Sequence, residues 1–496
     1  MAHPLSRSLR NLVRDLRALL VENTLDPLPL RGPLKRYNGE KFRHDLRAGL
    51  NVALLALPQG LAYAAIAELP IIYGIACSAI AAVVAPLFSG SRHTILGPTN
   101  ATSFMIFSFF AAGSIGAHKV EFMPLLCLMV GVFCVLGALL KVADLLQYVS
   151  RSVLIGYITG AAVLIIANQL KHIFGIAPQV NEEGGQTFIG ILLGLGKHLP
   201  ELQWPPLALA VATLLTYLFL QRRFKLLPTF ALTLILFSAL AAGLRAWIPG
   251  FGALDTFDPF TLADLRPRLP DFSETGFFDQ VSLLAAVAFA IAFLASLENT
   301  VMAKSLASRT GDRPDVNQDM FSVGMANLVA GIFAGMPASG SLTRSQLNYD
   351  SGARTRFASL FCGLICIAGI FLLAVVPLVS HIPKACLAAL VVGIAVSLIS
   401  PRLTRICLRS TGDDAAVLLA TFVAALVAPL HVAIFIGVAL SITHFHRKAS
   451  IPYLVEYEIS DDGDLRELGE KRKRPNPAIS IVHVEGDLFF GAAELF

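Results

Sequence analysis

The sequence predicts an all-α polytopic membrane protein with about fourteen transmembrane segments, arranged as two inverted repeats of seven. The chain is 55% hydrophobic and only 15% charged, with a mean hydropathy of +0.68, whereas a soluble globular domain carries about 25% charged residues. Apolar runs near the ~20 residues that a membrane helix needs recur along the chain. The third run of each half is short and interrupted by Gly and Pro. Because each repeat has seven segments, an odd number, the second repeat begins on the opposite side of the membrane and is inverted relative to the first.

Residues 1–45 form a basic region without the long apolar core of a cleavable signal. Within it, residues 5–20 space leucines and arginines at helical intervals. This spacing favours a helix that either lies on anionic lipid or packs on a cytoplasmic domain.

The transmembrane repeats are predicted at residues 46–247 and 281–446. The segments of the first repeat are expected at 46–67, 71–89, 99–112, 121–140, 152–172, 204–221 and 227–247. Those of the second are expected at 281–305, 319–335, 342–352, 355–380, 384–399, 414–428 and 430–446. An acid-rich loop, 248–280, separates the repeats.

The distribution of Lys and Arg over the short loops predicts the orientation. With a cytoplasmic N-terminus, the loops after even-numbered segments face the cytoplasm. The basic residues in these loops are Arg222, Arg223, Lys225, Lys304, Arg309, Arg313, Arg354, Arg356, Arg402, Arg405 and Arg409. We therefore expect a multi-pass protein of the cell (inner) membrane, with both termini cytoplasmic and the loop 248–280 outside.

The chain becomes polar after the last predicted segment. Residues 447–477 are charged and contain proline, which is typical of a linker. Residues 478–496 alternate like β-strands. We expect the latter to be the short β start of a cytoplasmic domain that is truncated in this sequence.

The two short segments are predicted to be half-helices that begin in the middle of the membrane. The third segment begins at 97–103, GPTNATS, and the tenth at 340–345, GSLTRS. A helix that begins there has N–H groups without partners and carries about half a positive charge, so two facing starts form an anion site. Thr99, Ser341 and Thr343 would add hydroxyl donors. The alternative for Thr99 and Ser341 is helix capping alone.

Charged and polar residues near these starts are further candidates. Arg344 costs at least ~2.5–3.5 kcal/mol near the bilayer centre, so it either binds the anion or pairs with a carboxylate or with helix carbonyls. Glu298 interrupts an apolar run. It could exchange a proton, because burial favours a neutral carboxyl group, or form a static ion pair with Arg344. Gln59 and Tyr63 lie one turn apart and could coordinate an oxyanion.

Four stretches resemble the sulfate-permease (SulP) anion transporters, the solute carrier 26 family of animals. The stretches are DLRAGLNVALLALPQGLAYAAIAELP, SGSRHTILGPTNATS, GIFAGMPASGSLTRSQLNYDSGARTR and, for the family's cytoplasmic STAS domain, GDLFFGAAELF. The resemblance implies a core domain of segments 1–4 and 8–11, a gate domain of segments 5–7 and 12–14, a homodimer and an elevator-like movement of the core. It also implies an anion held between the two half-helices.

Matched residue by residue, the resemblance implies a substrate site and one coupling residue. The substrate-site residues are Gln59, Tyr63, Thr99, Asn100, Ala101, Ser341, Leu342, Thr343 and Arg344. The coupling residue, for a proton, is Glu298. The family's sodium-driven bicarbonate branch tends to carry Asp at the position of Glu298 and a hydroxyl residue one turn later, at the position of Met302. It also tends to lack an arginine at the position of Arg344. Because this chain has Glu298, Met302 and Arg344, proton coupling or anion exchange is favoured over sodium.

The predicted function is secondary active transport of a small anion such as sulfate, bicarbonate or a dicarboxylate. A nucleobase permease of the same architecture, which would not need Arg344, and an anion channel are the alternatives. We do not expect an enzyme, because the sequence contains no nucleophile–base set, phosphate loop or metal cluster at credible spacing. We expect no cofactor, metal or nucleic-acid partner; the expected partners are the anion, lipid and a second copy of the chain.

Overall fold

The computed structural model describes residues 25–111, 118–146, 149–177, 187–224, 228–252, 254–270, 272, 276–376, 378–449, 453–459, 465–467 and 481–485. The predicted amphipathic segment at 5–20 and the stretch 486–496 lie outside these residues.

The described part of the chain is mostly helical. Up to residue 247 the helices are α1 (Arg31–Lys35), α2 (Gly39–Ile66), α3 (Ile71–Phe88), α4 (Asn100–Phe110), α5 (Lys119–Leu139), α6 (Val142–Leu145), α7 (Arg151–Phe174), α8 (Phe188–His198), α9 (Trp204–Arg223) and α10 (Thr229–Trp247). After it they are α11 (Phe277–Thr310), α12 (Val316–Ile332), α13 (Leu342–Asp350), α14 (Phe357–Val375), α15 (Lys384–Leu398), α16 (Pro401–Ser410), α17 (Gly412–Val427) and α18 (Leu430–Ala449).

Fourteen of these helices are the membrane segments. Ten are long and apolar enough to cross a membrane alone, when Lys384–Ser410 is counted as one. The shorter α4, α12, α13 and α17 complete seven segments in each repeat. The predicted fold of two seven-segment repeats with two half-helices is confirmed. We call the helix ends inner and outer according to the orientation that the basic loops predict.

The segments pack as two bundles. The core bundle contains α2–α5 and α11–α14, with α5 against α12 and α14 against both α2 and α3. The gate bundle contains α7, α9, α10, α15, α17 and α18, with α7 packed on α15 and α17. These are the segments that the family resemblance assigns to core and gate. Contact between the bundles is less extensive and includes α4 against α7 and α18.

Several boundaries differ from the sequence prediction for local reasons. Helix α2 begins at Gly39 rather than at residue 46, because the Asn38 side chain accepts a hydrogen bond from the Lys41 N–H (3.0 Å) and caps it. The predicted basic loop with Arg402, Arg405 and Arg409 is instead the helix α16, which has no buried residue. The stretch between the predicted segments 152–172 and 204–221 contains a further helix, α8 (Phe188–His198), which the Thr187 side chain caps.

Two buried carboxylates fix inner turns beside the half-helices. Asp45, fully buried in α2, accepts hydrogen bonds from the N–H groups of Arg354 (2.7 Å) and Thr355 (3.0 Å) and from the Thr355 hydroxyl (2.5 Å). Asp319 in α12 accepts from the N–H groups of Gly90 and Ser91, both at 2.9 Å. These contacts anchor the turns that follow α3 and α13.

The strands form two small sheets. Strands β1 (Leu96–Gly97) and β2 (Ser339–Gly340) pair within the core bundle. Strands β3 (Tyr453–Ile459), β4 (Leu465–Glu467) and β5 (Ile481–Glu485) form an antiparallel sheet in the order β4-β3-β5. Since β3 and β4 lie within 447–477, regular structure begins before the predicted linker ends.

Candidate functional site

The two half-helices begin from one antiparallel strand pair. Leu96 pairs with Gly340 and Gly97 with Ser339, one strand leading into α4 and the other into α13. The Ser341 N–H donates to the Ile95 carbonyl (3.2 Å), and the Ile95 N–H donates to Ser345 Oγ (2.9 Å). Irregular backbone at membrane depth must be satisfied inside the protein, and this ladder provides the partners. The N-termini of α4 and α13 therefore meet at one place.

Two glycines allow this close approach. A Cβ on Gly340 would lie 2.6 Å from Asn299 Oδ1, 2.8 Å from Met302 Cε and 2.9 Å from Asn299 Cα. A Cβ on Gly97 would collide with the Arg344 guanidinium. The strand pair can thus lie directly against α11 and against the Arg344 side chain.

Both half-helices are capped by hydroxyl side chains. Thr99 and Thr102 form a capping box at α4, and Ser341 Oγ accepts from the Arg344 N–H at 3.5 Å at α13. The capping predicted as the alternative for Thr99 and Ser341 is therefore present. A cap satisfies one N–H group and leaves the positive end of the helix dipole in place, so capping and anion binding are compatible here.

Glu298 lies between the two half-helix starts. Its Oε2 atom accepts hydrogen bonds from Thr99 Oγ1 (3.1 Å) and from Ser339 Oγ (2.6 Å), one donor from each repeat. Within the described residues, Glu298 and Arg344 form no ion pair. The static pair considered from the sequence is thus wrong for this conformation. The chain's own carboxylate occupies the place where the two positive helix ends converge.

Arg344 is fully buried and holds the backbone next to the site. It has no exposed surface, and its Nη2 donates to the Pro98 carbonyl, with Ser78 Oγ at 3.5 Å from Nη1. The guanidinium carbon lies 5.8 Å from the centre of the Tyr63 ring, a cation–π distance. The sequence left three alternatives for Arg344: binding the anion, pairing with a carboxylate, or pairing with carbonyl groups. The structure contains the pairing of Arg344 with a carbonyl group. The positive charge remains behind the start of α4, where it can still attract an anion.

The remaining predicted residues fall into three groups. Gln59 is 6% exposed, and its Oε1 atom, like Oδ1 of Asn100, is buried without a hydrogen-bond partner among the described residues. Leu342 and Thr343 are exposed, and Thr343 Oγ1 lies 3.4 Å from Ser341 Oγ. The Ala101 carbonyl accepts from the Tyr157 hydroxyl of the gate bundle (3.4 Å).

Sequence reasoning missed several polar groups around the site, namely Ser78, Tyr157, Asn299, Ser339 and Ser345. Ser339 had a usable signal, because it directly precedes Gly340 in the same polar stretch. Ser345 and Asn299 had the same signal, because they directly follow Arg344 and Glu298. Ser78 and Tyr157 lie on α3 and α7, whose register against the half-helices the sequence does not specify. Across the described residues, His, Cys, Asp and Glu form no group of three that could hold a metal ion.

Comparison with known proteins shows the family to which the chain belongs. The model of the sulfate permease family matches residues 42–421. The YvdB protein of Bacillus subtilis is 27% identical over 464 residues, 93% of this chain and 83% of that protein. The chloroplast sulfate transporter 4.1 of Arabidopsis thaliana is 28% identical over 423 residues, and the match spans 84% of this chain but only 60% of that protein.

The fold has a close counterpart among solved structures. A structure of SLC26A9 superposes with a TM-score of 0.81 at 17% identity, covering 99% of this chain and 78% of that one. The family match covers most of the chain and includes both half-helices. The protein is therefore a multi-pass membrane protein that belongs to the sulfate permease family of anion transporters.

Proposed function

We propose that this protein is a secondary active transporter that carries a small oxyanion together with a proton. The observation that carries the proposal is the position of Glu298 between the starts of α4 and α13, on hydroxyls of both repeats. An ionised carboxylate there competes with a substrate anion for the same positive helix ends. Protonation of Glu298 removes that competition, so proton and anion bind together.

The substrate residues that we propose surround this carboxylate. Thr99, Asn100 and Ala101 at the start of α4, and Ser341, Leu342 and Thr343 at the start of α13, supply N–H groups and hydroxyls to the anion. Gln59 and Tyr63 form the wall. Arg344 acts from behind, fixing Pro98 and contributing its charge.

The substrate class follows from the donors and from the relatives. Hydroxyls and backbone N–H groups at helix starts suit a compact oxyanion, and sulfate transporter 4.1 of Arabidopsis is a sulfate transporter by name. We propose sulfate as the first candidate and bicarbonate or a dicarboxylate as alternatives. The movement that we propose is a displacement of the core bundle along the gate bundle, in a homodimer.

We propose the same topology that the basic loops predict. Residues 1–45, the linker 447–477 and the β-rich stretch 478–496 would be cytoplasmic, and residues 248–280 would face outside. Labelling of single cysteines in these regions with a membrane-impermeant reagent tests the assignment. Labelling of the loop 248–280 only from the inside would contradict it.

The test of the function is uptake of radiolabelled sulfate, bicarbonate and fumarate into proteoliposomes, with and without an imposed pH gradient. We expect saturable uptake of one anion that an inward proton gradient increases. Glu298→Gln mimics the protonated state and should lose the response to the gradient. The matched control is Asp279→Asn in the exposed first turn of the same helix, which should respond like the wild type.

Two results would contradict the proposal. If no anion moves under any gradient, the protein is not such a transporter. If Glu298→Gln retains the full gradient response, the proton does not act through this carboxylate. Ion current without saturation would favour the channel alternative, and uracil uptake that survives Arg344→Ala would favour the nucleobase alternative.

A further inference from the structure

The helix α16 is a short amphipathic helix between two membrane segments of the gate bundle. The helical backbone is interrupted at both its ends, because Ile399 and Ser400 are extended before it and Thr411 is extended after it. Its ten residues span about 15 Å, roughly half of the ~30 Å hydrocarbon core. The helix packs on α7 and α17, both of which begin at the inner end in the predicted orientation. We therefore place α16 at the inner end of the gate bundle.

Three arginines lie on one face of α16. Arg402, Arg405 and Arg409 are three and four residues apart, the spacing that places side chains next to one another on a helix. All three are exposed, and within the described part of the chain no carboxylate forms an ion pair with them. We call these three residues the arginine stripe.

The two carboxylates that follow α16 have other partners. Asp414 accepts hydrogen bonds from four hydroxyl groups, two of which belong to Ser150 (2.8 Å) and Ser152 (3.1 Å) at the start of α7. Asp413 forms an ion pair with Arg447 (2.9 Å). The start of α17 therefore does not neutralise the arginine stripe, which remains available to an anionic partner.

Large apolar side chains flank the arginine stripe. Leu403 is 48% exposed, Ile406 53% and Leu408 42%, whereas Thr404 and Cys407 are the less exposed residues of the helix. An apolar face beside a basic face is typical of a helix that lies in the plane of the membrane surface. Because α15 and α17, the segments that α16 connects, lie in lipid, the apolar side chains at this level meet acyl chains and headgroups first.

We propose that α16 lies in the headgroup layer of the inner leaflet and binds anionic phospholipid through the arginine stripe. A guanidinium group can pair with a phosphate through two parallel N–H bonds, and arginine stems extend along apolar surface to reach the headgroups. Basic residues at this level favour lipids with a net negative charge over zwitterionic ones. Since α16 packs on α7 and α17, the bound lipid belongs to the gate bundle. This inference goes beyond the proposed transport and does not depend on it.

Tryptophan fluorescence in vesicles measures which lipid contacts α16. The chain has two tryptophans, Trp204 and Trp247, and both are exposed at the outer ends of α9 and α10. In the full chain with Trp204→Phe and Trp247→Phe, Leu403→Trp places a single reporter beside the arginine stripe. Ile406→Trp is the second reporter position, for use if the first variant does not fold.

Brominated lipids quench a tryptophan that they contact. Vesicles of phosphatidylcholine and phosphatidylglycerol, with one or the other lipid brominated, therefore give the relative affinity of the two lipids at the reporter. At low salt we expect a several-fold preference for phosphatidylglycerol. The preference should weaken as the salt concentration rises, because exposed charges are screened.

A pair of double variants in the reporter background tests the arginine stripe. Arg405→Gln with Arg409→Gln should reduce the preference several-fold, because two of the three cations are removed. The matched control is Arg222→Gln with Arg223→Gln, which removes two exposed arginines from the last turn of α9 at the same inner end. This control should keep the preference of the reporter protein.

The inference is overturned if both brominated lipids quench the reporter equally, or if the preference survives in the variant of Arg405 and Arg409. Quenching by aqueous iodide but by neither lipid would place α16 in water. Protection from iodide and from both lipids would assign the surface to a protein partner. Either result would also overturn the inference. Because the assay measures lipid contact without transport, its outcome is separate from that of the uptake experiments.

Discussion

Replacing Gly340 by alanine tests the idea that the site depends on contact between β2 and α11. The new Cβ would lie 2.6 Å from Asn299 Oδ1, 2.8 Å from Met302 Cε and 2.9 Å from Asn299 Cα, whereas ordinary contact begins near 3.4 Å. The two side-chain atoms can move, but Asn299 Cα is helix backbone and cannot yield alone. The strand must therefore shift away from α11.

The magnitude follows from the cost of overpacking. Inserting a methyl group into a packed interior costs about 1–3 kcal/mol. The shift also lengthens the 2.6 Å hydrogen bond from Ser339 to Glu298. The cost of overpacking therefore lowers the free energy of anion binding as well as the stability of the fold. If all of it is lost from binding, the sulfate Kd rises about 5- to 150-fold.

The assay is sulfate binding to purified protein, with thermal unfolding in detergent measured in parallel. Gly196→Ala is the matched control, because Gly196 lies in the helix α8 with nothing within 4 Å of the added Cβ. Alanine in a helix interior is about 0.5–1 kcal/mol more favourable than glycine, so this variant should be slightly stabilised and bind normally. Gly340→Ala combined with Met302→Ala should stay impaired, since Asn299 Cα remains. Wild-type binding and stability in Gly340→Ala would refute the reasoning.

Three further predictions concern the charged groups. Arg344→Lys keeps the charge but loses the guanidinium fork that reaches the Pro98 carbonyl and Ser78. A hydrogen bond from a charged group contributes about 1.5–3 kcal/mol, so transport should fall about 10- to 150-fold; uptake at the wild-type rate would contradict this. Asp45→Ala should lower the free energy of unfolding by about 1.5–3 kcal/mol or more, because the donors of Arg354 and Thr355 lose their acceptor; an unchanged detergent melting curve would contradict it. Burial alone would raise the pKa of Glu68, but Lys171, Lys119 and His172 hold it below its ordinary value of 4.5. The stabilisation of the fold by the ionised Glu68 carboxylate is then fully present at a pH above the ordinary pKa of 4.5. It is lost only as the pH falls through the lowered pKa. The difference in detergent melting temperature between the wild type and Glu68→Gln should accordingly be constant between about pH 6 and 8. A change of that difference within this window would contradict the lowered pKa of Glu68.

The repeats and half-helices could be predicted because their signals are local. Gly97, Pro98 and the hydroxyl residues after them interrupt an apolar run, and Gly340 and Ser341 do the same in the other half. In each half, a few consecutive residues are enough to predict that a helix starts there. The strand pair between them was not predicted, since two-residue strands carry no periodicity.

The contacts of the charged residues depend on how the helices pack. The sequence predicts that Arg344 lies near the half-helix start. It does not predict where the guanidinium group points, because that depends on the space beside Gly97 and on the carbonyl of Pro98. Likewise, Glu298 was recognised as a buried carboxylate, while its partners Thr99 and Ser339 come from opposite repeats. The charge of the basic residues at 402–409 favours a loop, whereas the apolar face with Leu403 and Ile406 fits the helix that the structure has.

The pairing of β1 with β2 has a consequence for biogenesis. When the ribosome has completed the first repeat, residues 95–97 are already at membrane depth, and their partners at 339–341 have not been made. Backbone groups left unpaired in hydrocarbon cost several kcal/mol each, so the first repeat cannot reach its final form alone. The nascent chain must either keep this stretch in contact with water or the insertion machinery, or wait until most of the second repeat has entered the bilayer. Neither half should therefore assemble as an independent unit.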